Sequence, residues 1–186
     1  MGRVRMGHRK GGWTVEGSRE IYRNPWLAVR EDRVVKPDGE EGVFAVAEMK
    51  PGVSVLPVDD DGTAHLIRIY RYTLDRATIE VIAGGIDGTE APLAAARREL
   101  REEAGIEAEE WTDLGTIDQL TEVVVAPNHL FLARRLAFAP AEPEGSERIE
   151  RLPVPLAEAV AWVRDGTITS AVSAVLILKA ARHLGR

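Results

Sequence analysis

The order of apolar runs, turn signals and helical stretches predicts an α+β sandwich with a mixed, largely antiparallel sheet. Three observations carry this. Short strand-like runs separated by strong turn sequences fill the first half of the chain. A single amphipathic helix rich in Ala, Leu, Arg and Glu is inserted between strands, near residues 89–104. Two further helical stretches close the chain, so helices are available for both faces of the sheet.

In chain order, Leu27 to Val35 and Val43 to Glu48 flank Pro37-Asp38-Gly39 and predict a hairpin. This hairpin reads as an addition to the main fold, giving an N-terminal β extension over residues 1–50 and a principal domain over 51–186. Val53 to Val58 and His65 to Tyr72 flank Asp59-Asp60-Asp61-Gly62 and predict a second hairpin, whose aspartates are accounted for by turn chemistry. Ile79 to Ile82 is a short strand leading into Gly84 and Gly85. For the inserted helix, Thr89 is the expected N-cap, Pro92 fits the first turn, and Gly105 fits the left-handed position that ends a helix. Leu93, Ala96, Leu100 and Ala104 form its buried stripe. Leu114 to Ile117 and His129 to Ala137 are further strands, the second apolar enough to be central. Ala139 to Glu150, rich in Pro and Glu, reads as an exposed loop. Pro155 to Asp165 and Ser170 to His183 read as helices on either side of Gly166.

Composition narrows the function classes. A chain of 186 residues with 45% hydrophobic content can bury a substantial core. A formal net charge of -6 provides no basic field for a nucleic-acid polymer, while a mononucleotide-sized ligand remains compatible with it. The absence of cysteine excludes disulfides, a thiol nucleophile and zinc–thiolate sites. Met1 to Lys10 is basic without the apolar stretch of a signal peptide, and no run reaches membrane-spanning length, so a cytoplasmic protein with no membrane partner is expected. His8, His65, His129 and His183 share no ligand spacing.

The chemistry concentrates on the inserted helix. Glu99 and Glu103 are one turn apart on one face, and Glu102 borders that face. Three converging carboxylates repel one another unless a cation neutralises them, and an oxygen-only donor set suits Mg2+ or Mn2+, which share their remaining positions with water and substrate phosphates. Arg98, four residues before Glu102, is placed to orient a carboxylate. Gly84 and Gly85 allow close backbone approach to a ligand beside a helix N-terminus that favours anions.

Gly84, Glu90, Arg98-Glu99-Leu100, Glu102-Glu103 and Gly105-Ile106 fall in the spacing G-x5-E-x7-R-E-L-x-E-E-x-G-I, which resembles a complete Nudix box. Asn24 to Asp32, Arg68 to Tyr72, Glu80 to Gly85 and Trp162 to Ile168 resemble the ADP-ribose pyrophosphatase and nucleoside-diphosphate-sugar hydrolase branch of that superfamily. The resemblance implies an α/β/α sandwich and metal-dependent hydrolysis of the pyrophosphate of a nucleoside diphosphate derivative, ADP-ribose above all. It implies divalent ions on Glu99, Glu102, Glu103 and the Ala83 carbonyl, with Arg71 and Glu80 near the substrate and Phe44 stacking on adenine. It also implies a homodimer in which the N-terminal strands pair with or cover the partner.

Two departures leave the general base open. Leu120-Thr121-Glu122 stands where relatives carry S-P-G, and Ala126 where they carry a glutamate. Glu122, Glu144 and Glu147 are the candidates, with Glu142 in the same acidic stretch. The alternatives are another substrate (a different nucleotide sugar, a dinucleoside polyphosphate, an oxidised nucleoside triphosphate) or a nucleotide-binding regulator without turnover.

Overall fold

A computed structural model describes residues 7–140 and 149–185. Along the chain the strands are β1 (His8–Lys10), β2 (Trp13–Arg23), β3 (Leu27–Val35), β4 (Glu41–Met49), β5 (Gly52–Pro57), β6 (Thr63–Arg71), β7 (Arg76–Glu80) and β8 (Ile82–Gly85). Helix α1 (Pro92–Ala104) follows, then β9 (Ile106–Asp118), β10 (Val124–Val125), β11 (Pro127–Phe138) and β12 (Ile149–Pro155), and finally α2 (Leu156–Asp165) and α3 (Ala171–His183). These elements form two compact units. One comprises residues up to Lys50 with Asp118–Ala126, the other Pro51–Ile117 with the chain from Pro127 onward.

The first unit is a sheet in the order β1-β2-β3-β4-β10. The hairpin expected around Pro37-Asp38-Gly39 is present, with Lys36 donating its N–H to the Glu40 carbonyl at 2.8 Å and Gly39 at a φ of 90°. Periodicity alone did not reveal β1 and β2, which extend this sheet. The short β10 adds to β4 in parallel, Val124 opposite Ala47.

The second unit holds a four-stranded sheet, β8-β5-β11-β9, and a three-stranded sheet, β12-β6-β7. β11 pairs with β5 in parallel, and the other registered pairs of this unit are antiparallel. β11 lies inside its sheet, as its apolar character requires, and it buries alternate residues on both faces. Phe131 and Ala133 join α1 residues Ala95, Ala96, Leu100 and Ala104 in one cluster. Leu130 and Leu132 join Ala159 of α2 and Leu176, Ile177 and Ala180 of α3 in another. Helices therefore cover both sides of the strands, and the α+β architecture is the one the sequence predicts.

Several local expectations need correction. Thr89 does not cap α1: the N-cap position is Ala91, with no side-chain hydrogen bond. Pro92 drives the residue before it into the extended region, so the helix cannot begin earlier. Val53–Val58 and His65–Tyr72 do not form a hairpin. The chain turns at Asp59–Gly62, but apart from an isolated Val58–Ala64 bridge the two strands separate, β5 into the four-stranded sheet and β6 into the three-stranded one. The single strand expected over Ile79–Ile82 is likewise divided at Val81, whose N–H is satisfied by Ser173 Oγ at 3.2 Å instead of a neighbouring strand. The segment Ala139 to Glu150 is partly strand: β11 runs to Phe138 and β12 begins at Ile149. β12 is an edge strand, where Pro153 and Pro155 cost no ladder bond.

Candidate active site on the acidic helix

α1 is laid against β8 by its apolar stripe, and this sets the acidic face over the Ala83–Gly84–Gly85 backbone. Contact there is close. A Cβ on Gly84 would lie 1.9 Å from Glu99 Cδ, so the glycine is required for the Glu99 carboxylate to occupy its place. Ala83 donates its N–H towards Glu103 Oε2 at 3.4 Å. Gly105, at a φ of 61°, ends the helix through its N–H to Arg101 and Leu100 carbonyls.

Arg98 organises the acids. Its Nη1 donates to Glu99 Oε1 at 2.7 Å and to Glu102 Oε2 at 3.1 Å. Its Nη2 donates to the Gly85 carbonyl at 2.9 Å and to Glu90 at 3.2 Å, and its Nε also reaches Glu90. One guanidinium thus ties both ends of the motif to the glycine strand. The hydrogen bonds to Glu90 chiefly raise the Arg98 pKa, and reciprocally they hold the Glu90 carboxyl below its ordinary value. Glu99 behaves differently. Burial pushes its carboxyl up, Glu102 and Asp87 add to the rise, and Arg98 only partly offsets it.

Among the described residues, no three carboxylate or imidazole groups converge as a ready-made cation cage. The donor chemistry nevertheless fits a divalent cation. Glu99, Glu102 and Glu103 offer hard oxygens from adjoining positions of one helix, beside the Ala83–Gly85 backbone. Glu99 and Glu102 are held by Arg98 in this arrangement instead of facing one shared point.

Arg71 and Glu80 come together at the edge of the β6–β7 pair, through Nη2 to Oε2 at 2.8 Å and Nε to Oε1 at 3.1 Å. Thr78 Oγ1 also donates to Glu80 at 2.6 Å. Burial raises the Glu80 carboxyl, but the hydrogen bonds from Arg71 and Thr78 outweigh it and the net shift is downward. A folded-state value below the unfolded one stabilises the fold at pH above the unfolded pKa, and that contribution disappears as pH falls through the folded pKa. Glu80→Gln is therefore expected to lower Tm at neutral pH and to reduce the loss of Tm on acidification. Thermal melts of both proteins across the carboxylate range check it, and parallel curves would refute it.

Phe44 lies in the first unit, part-exposed on β4, with its ring edge-on to Trp13 at a centroid distance of 5.8 Å and an angle of 74°. Together they border a cavity of about 350 Å³, over a floor of Val15, Val34 and Val46. Glu122 is exposed and also lines this cavity, on the segment running into β10. Ala126, at the position of the missing glutamate, is buried. Glu142, Glu144 and Glu147 lie outside the described residues. The sequence reading missed Trp13 and Asp32, which share this cavity. Asp32 lies directly opposite Phe44 across β3 and β4, a pairing that period-two alternation in two separate strands allows but does not specify.

The family model of the NUDIX domain matches residues 48–168, and that of the nucleoside diphosphate sugar hydrolase N-terminal domain matches residues 13–46. An ADP-ribose pyrophosphatase of Mycobacterium tuberculosis is 29% identical over 165 residues, covering 87% of this chain and 79% of the relative. A CMP-5'-(N-acetyl-N-hydroxy-3-aminopropyl)phosphonate hydrolase of Streptomyces rubellomurinus is 31% identical over 179 residues, covering 92% and 85%. An ADP-ribose pyrophosphatase of Bacillus subtilis is 26% identical, covering 85% and 86%. A crystal structure of an ADP compounds hydrolase superposes over 100% of this chain and 97% of its own with a TM-score of 0.81. At 20% identity it supports the fold alone.

Proposed function

The chain belongs to the Nudix hydrolase family, and on that premise we propose that it hydrolyses ADP-ribose to AMP and ribose 5-phosphate. The observation that carries this reading is the α1–β8 arrangement, with Glu99 seated on Gly84, Glu103 beside Ala83 and Arg98 joining Glu90, Glu99 and Glu102. The ADP-ribose pyrophosphatase relatives, similar over most of this chain, support the substrate.

Nudix enzymes generally use divalent metal ions. Here Glu99, Glu102, Glu103 and the Ala83 carbonyl would hold Mg2+ or Mn2+, which when bound neutralises the pyrophosphate and the charge that develops on the departing phosphate. The protein's own groups do the rest. Arg98 orients Glu99 and Glu102, the Gly84–Gly85 backbone admits the phosphates, and Arg71 and Glu80 contact the substrate. Phe44 stacks on the base. A carboxylate takes the proton of the attacking water, with Glu122, Glu144 and Glu147 as candidates. The water oxygen forms a new bond to one phosphorus as the bridging P–O bond breaks, so no covalent enzyme intermediate is needed. We assign residues 1–50 as a β extension that supports a homodimer and covers substrate, and 51–186 as the hydrolase domain.

A second reading, a CMP conjugate as substrate, is favoured by the phosphonate hydrolase relative. The two are separated by assaying ADP-ribose, GDP-mannose, UDP-glucose, a CMP-phosphonate, diadenosine polyphosphates and 8-oxo-dGTP, each with Mg2+, with Mn2+ and with chelator. Metal-dependent AMP release chiefly from ADP-ribose is the expected result. Turnover unaffected by chelation would overturn the mechanism, and nucleotide binding without turnover would point to a regulator.

A further inference from the structure

The cavity beside Phe44 contains a charged group that base stacking does not use. Asp32 is only 5% exposed and is one of the residues that line the cavity. Its carboxylate is held from one side by Arg30, whose Nε donates to Oδ1 at 3.1 Å and to Oδ2 at 3.2 Å. Arg30 is held in turn by Glu48, so the carboxylate has a fixed orientation. Trp13 and Phe44 form aromatic walls, three valines form the floor, and the segment ending in β10 closes one side through the Val123 carbonyl, which accepts from Ala47 N–H at 2.8 Å. A volume of about 350 Å³ is at the small end of ligand pockets, enough for one planar heterocycle.

The cavity is also lined by Lys10, Thr121 and Glu122 at its exposed margin, and an ionised carboxylate at its wall only accepts hydrogen bonds. A planar ligand lying against Phe44 or Trp13 and presenting an exocyclic amino group would satisfy it. A ligand presenting a carbonyl at the same place would set two acceptors against each other, with only Arg30 left to balance the Asp32 charge.

We infer that Asp32 is a base-specificity residue: the Trp13–Phe44 cavity selects amino-bearing nucleobases, adenine and cytosine, over their oxo counterparts, hypoxanthine and uracil. The inference rests on the proposed role of Phe44 as a stacking residue, but it does not require turnover. Arg30 would remain paired if Asp32 became asparagine, because the side-chain carbonyl still accepts from Nε. An asparagine amide, however, can turn either its donor or its acceptor towards the base, and the selection would be lost.

Calorimetric titration of the full-length protein with AMP, IMP, CMP and UMP tests this, with Asp32→Asn and Trp13→Ala as variants and circular dichroism as the folding control. AMP and CMP are expected to bind about tenfold more tightly than IMP and UMP, a ratio corresponding to one well-formed hydrogen bond. Asp32→Asn is expected to bring the ratio close to unity, and Trp13→Ala to weaken all four alike. Equal binding of amino and oxo bases by the wild type overturns the inference even if Asp32→Asn fails to fold, as does a ratio that survives in a folded Asp32→Asn. If AMP binds selectively but ADP-ribose is not cleaved, the hydrolase reading fails and this one stands. If ADP-ribose is cleaved while IMP competes as well as AMP, the reverse holds.

Discussion

Glu103→Gln is expected to reduce kcat/KM for ADP-ribose by about a hundredfold or more while leaving the fold intact. The substitution is nearly isosteric. Gln still offers an oxygen to the Ala83 N–H, which Glu103 Oε2 approaches at 3.4 Å, and Glu103 lies outside the buried stripe of Ala95, Ala96, Leu100 and Ala104. What changes is charge. If Glu99, Glu102 and Glu103 jointly hold a divalent cation, loss of one anion weakens the hold and removes part of several kcal/mol of charge stabilisation, each ~1.4 kcal/mol being worth tenfold in rate. A charge that served only solubility would leave turnover unchanged. Steady-state kinetics at several Mn2+ concentrations, with thermal melting as the control, decide between these. Partial recovery at high Mn2+ would place the defect in cation binding, and wild-type activity in the folded variant would remove Glu103 from the mechanism.

The contrast between α1 and its surroundings shows what the sequence made legible. Helix, terminating glycine and acidic face were readable from residues 84–106, because the constraints are local and lie a few residues apart; the stripe was read in part, since Ala95 takes a fully buried place and the expected Leu93 is only half-buried. The β3–β4 hairpin was readable for the same reason, its turn chemistry being contiguous. Pairing between distant strands was not. Nothing in Val53–Val58 or His65–Tyr72 declares that β5 pairs with β8 and β11 while β6 pairs with β7 and β12, since alternation fixes which faces are buried but leaves the partner open. β12 was hidden by prolines that only an edge strand tolerates. Asp32 escaped notice because an acid in a strand reads as a surface charge until Trp13 and Phe44 are brought beside it. Arg98 was partly legible. Its spacing predicted the contact with Glu102, but its bonds to Glu90 and the Gly85 carbonyl depend on how the preceding loop returns to the helix.

Gly84→Ala is the smallest change expected to disable the site. The added methyl would lie 1.9 Å from Glu99 Cδ and 2.0 Å from Oε1, far inside any tolerable contact. Two escapes exist. Glu99 can swing away, giving up its 2.7 Å bond from Arg98 and moving its carboxylate off the Ala83–Gly85 strand. Alternatively β8 can shift, disturbing its register with β5, where Gly84 is opposite Val53, a fully buried member of the α1 cluster. The first costs activity and the second costs stability by about 1–3 kcal/mol, as for other overpacked sites. A chain of this size would then lose about 2–4 °C of Tm per kcal/mol. The cause can be isolated by pairing Gly84→Ala with Glu99→Ala. If the carboxylate is the obstruction, the methyl adds little further destabilisation once Glu99 is truncated, and the double-mutant cycle gives a coupling comparable to the full cost of the single change. Additive costs would mean that the strand rejects alanine for its own backbone reasons. In that case the glycine would report on the β8 backbone and its pairing with β5, and not on the seat of Glu99.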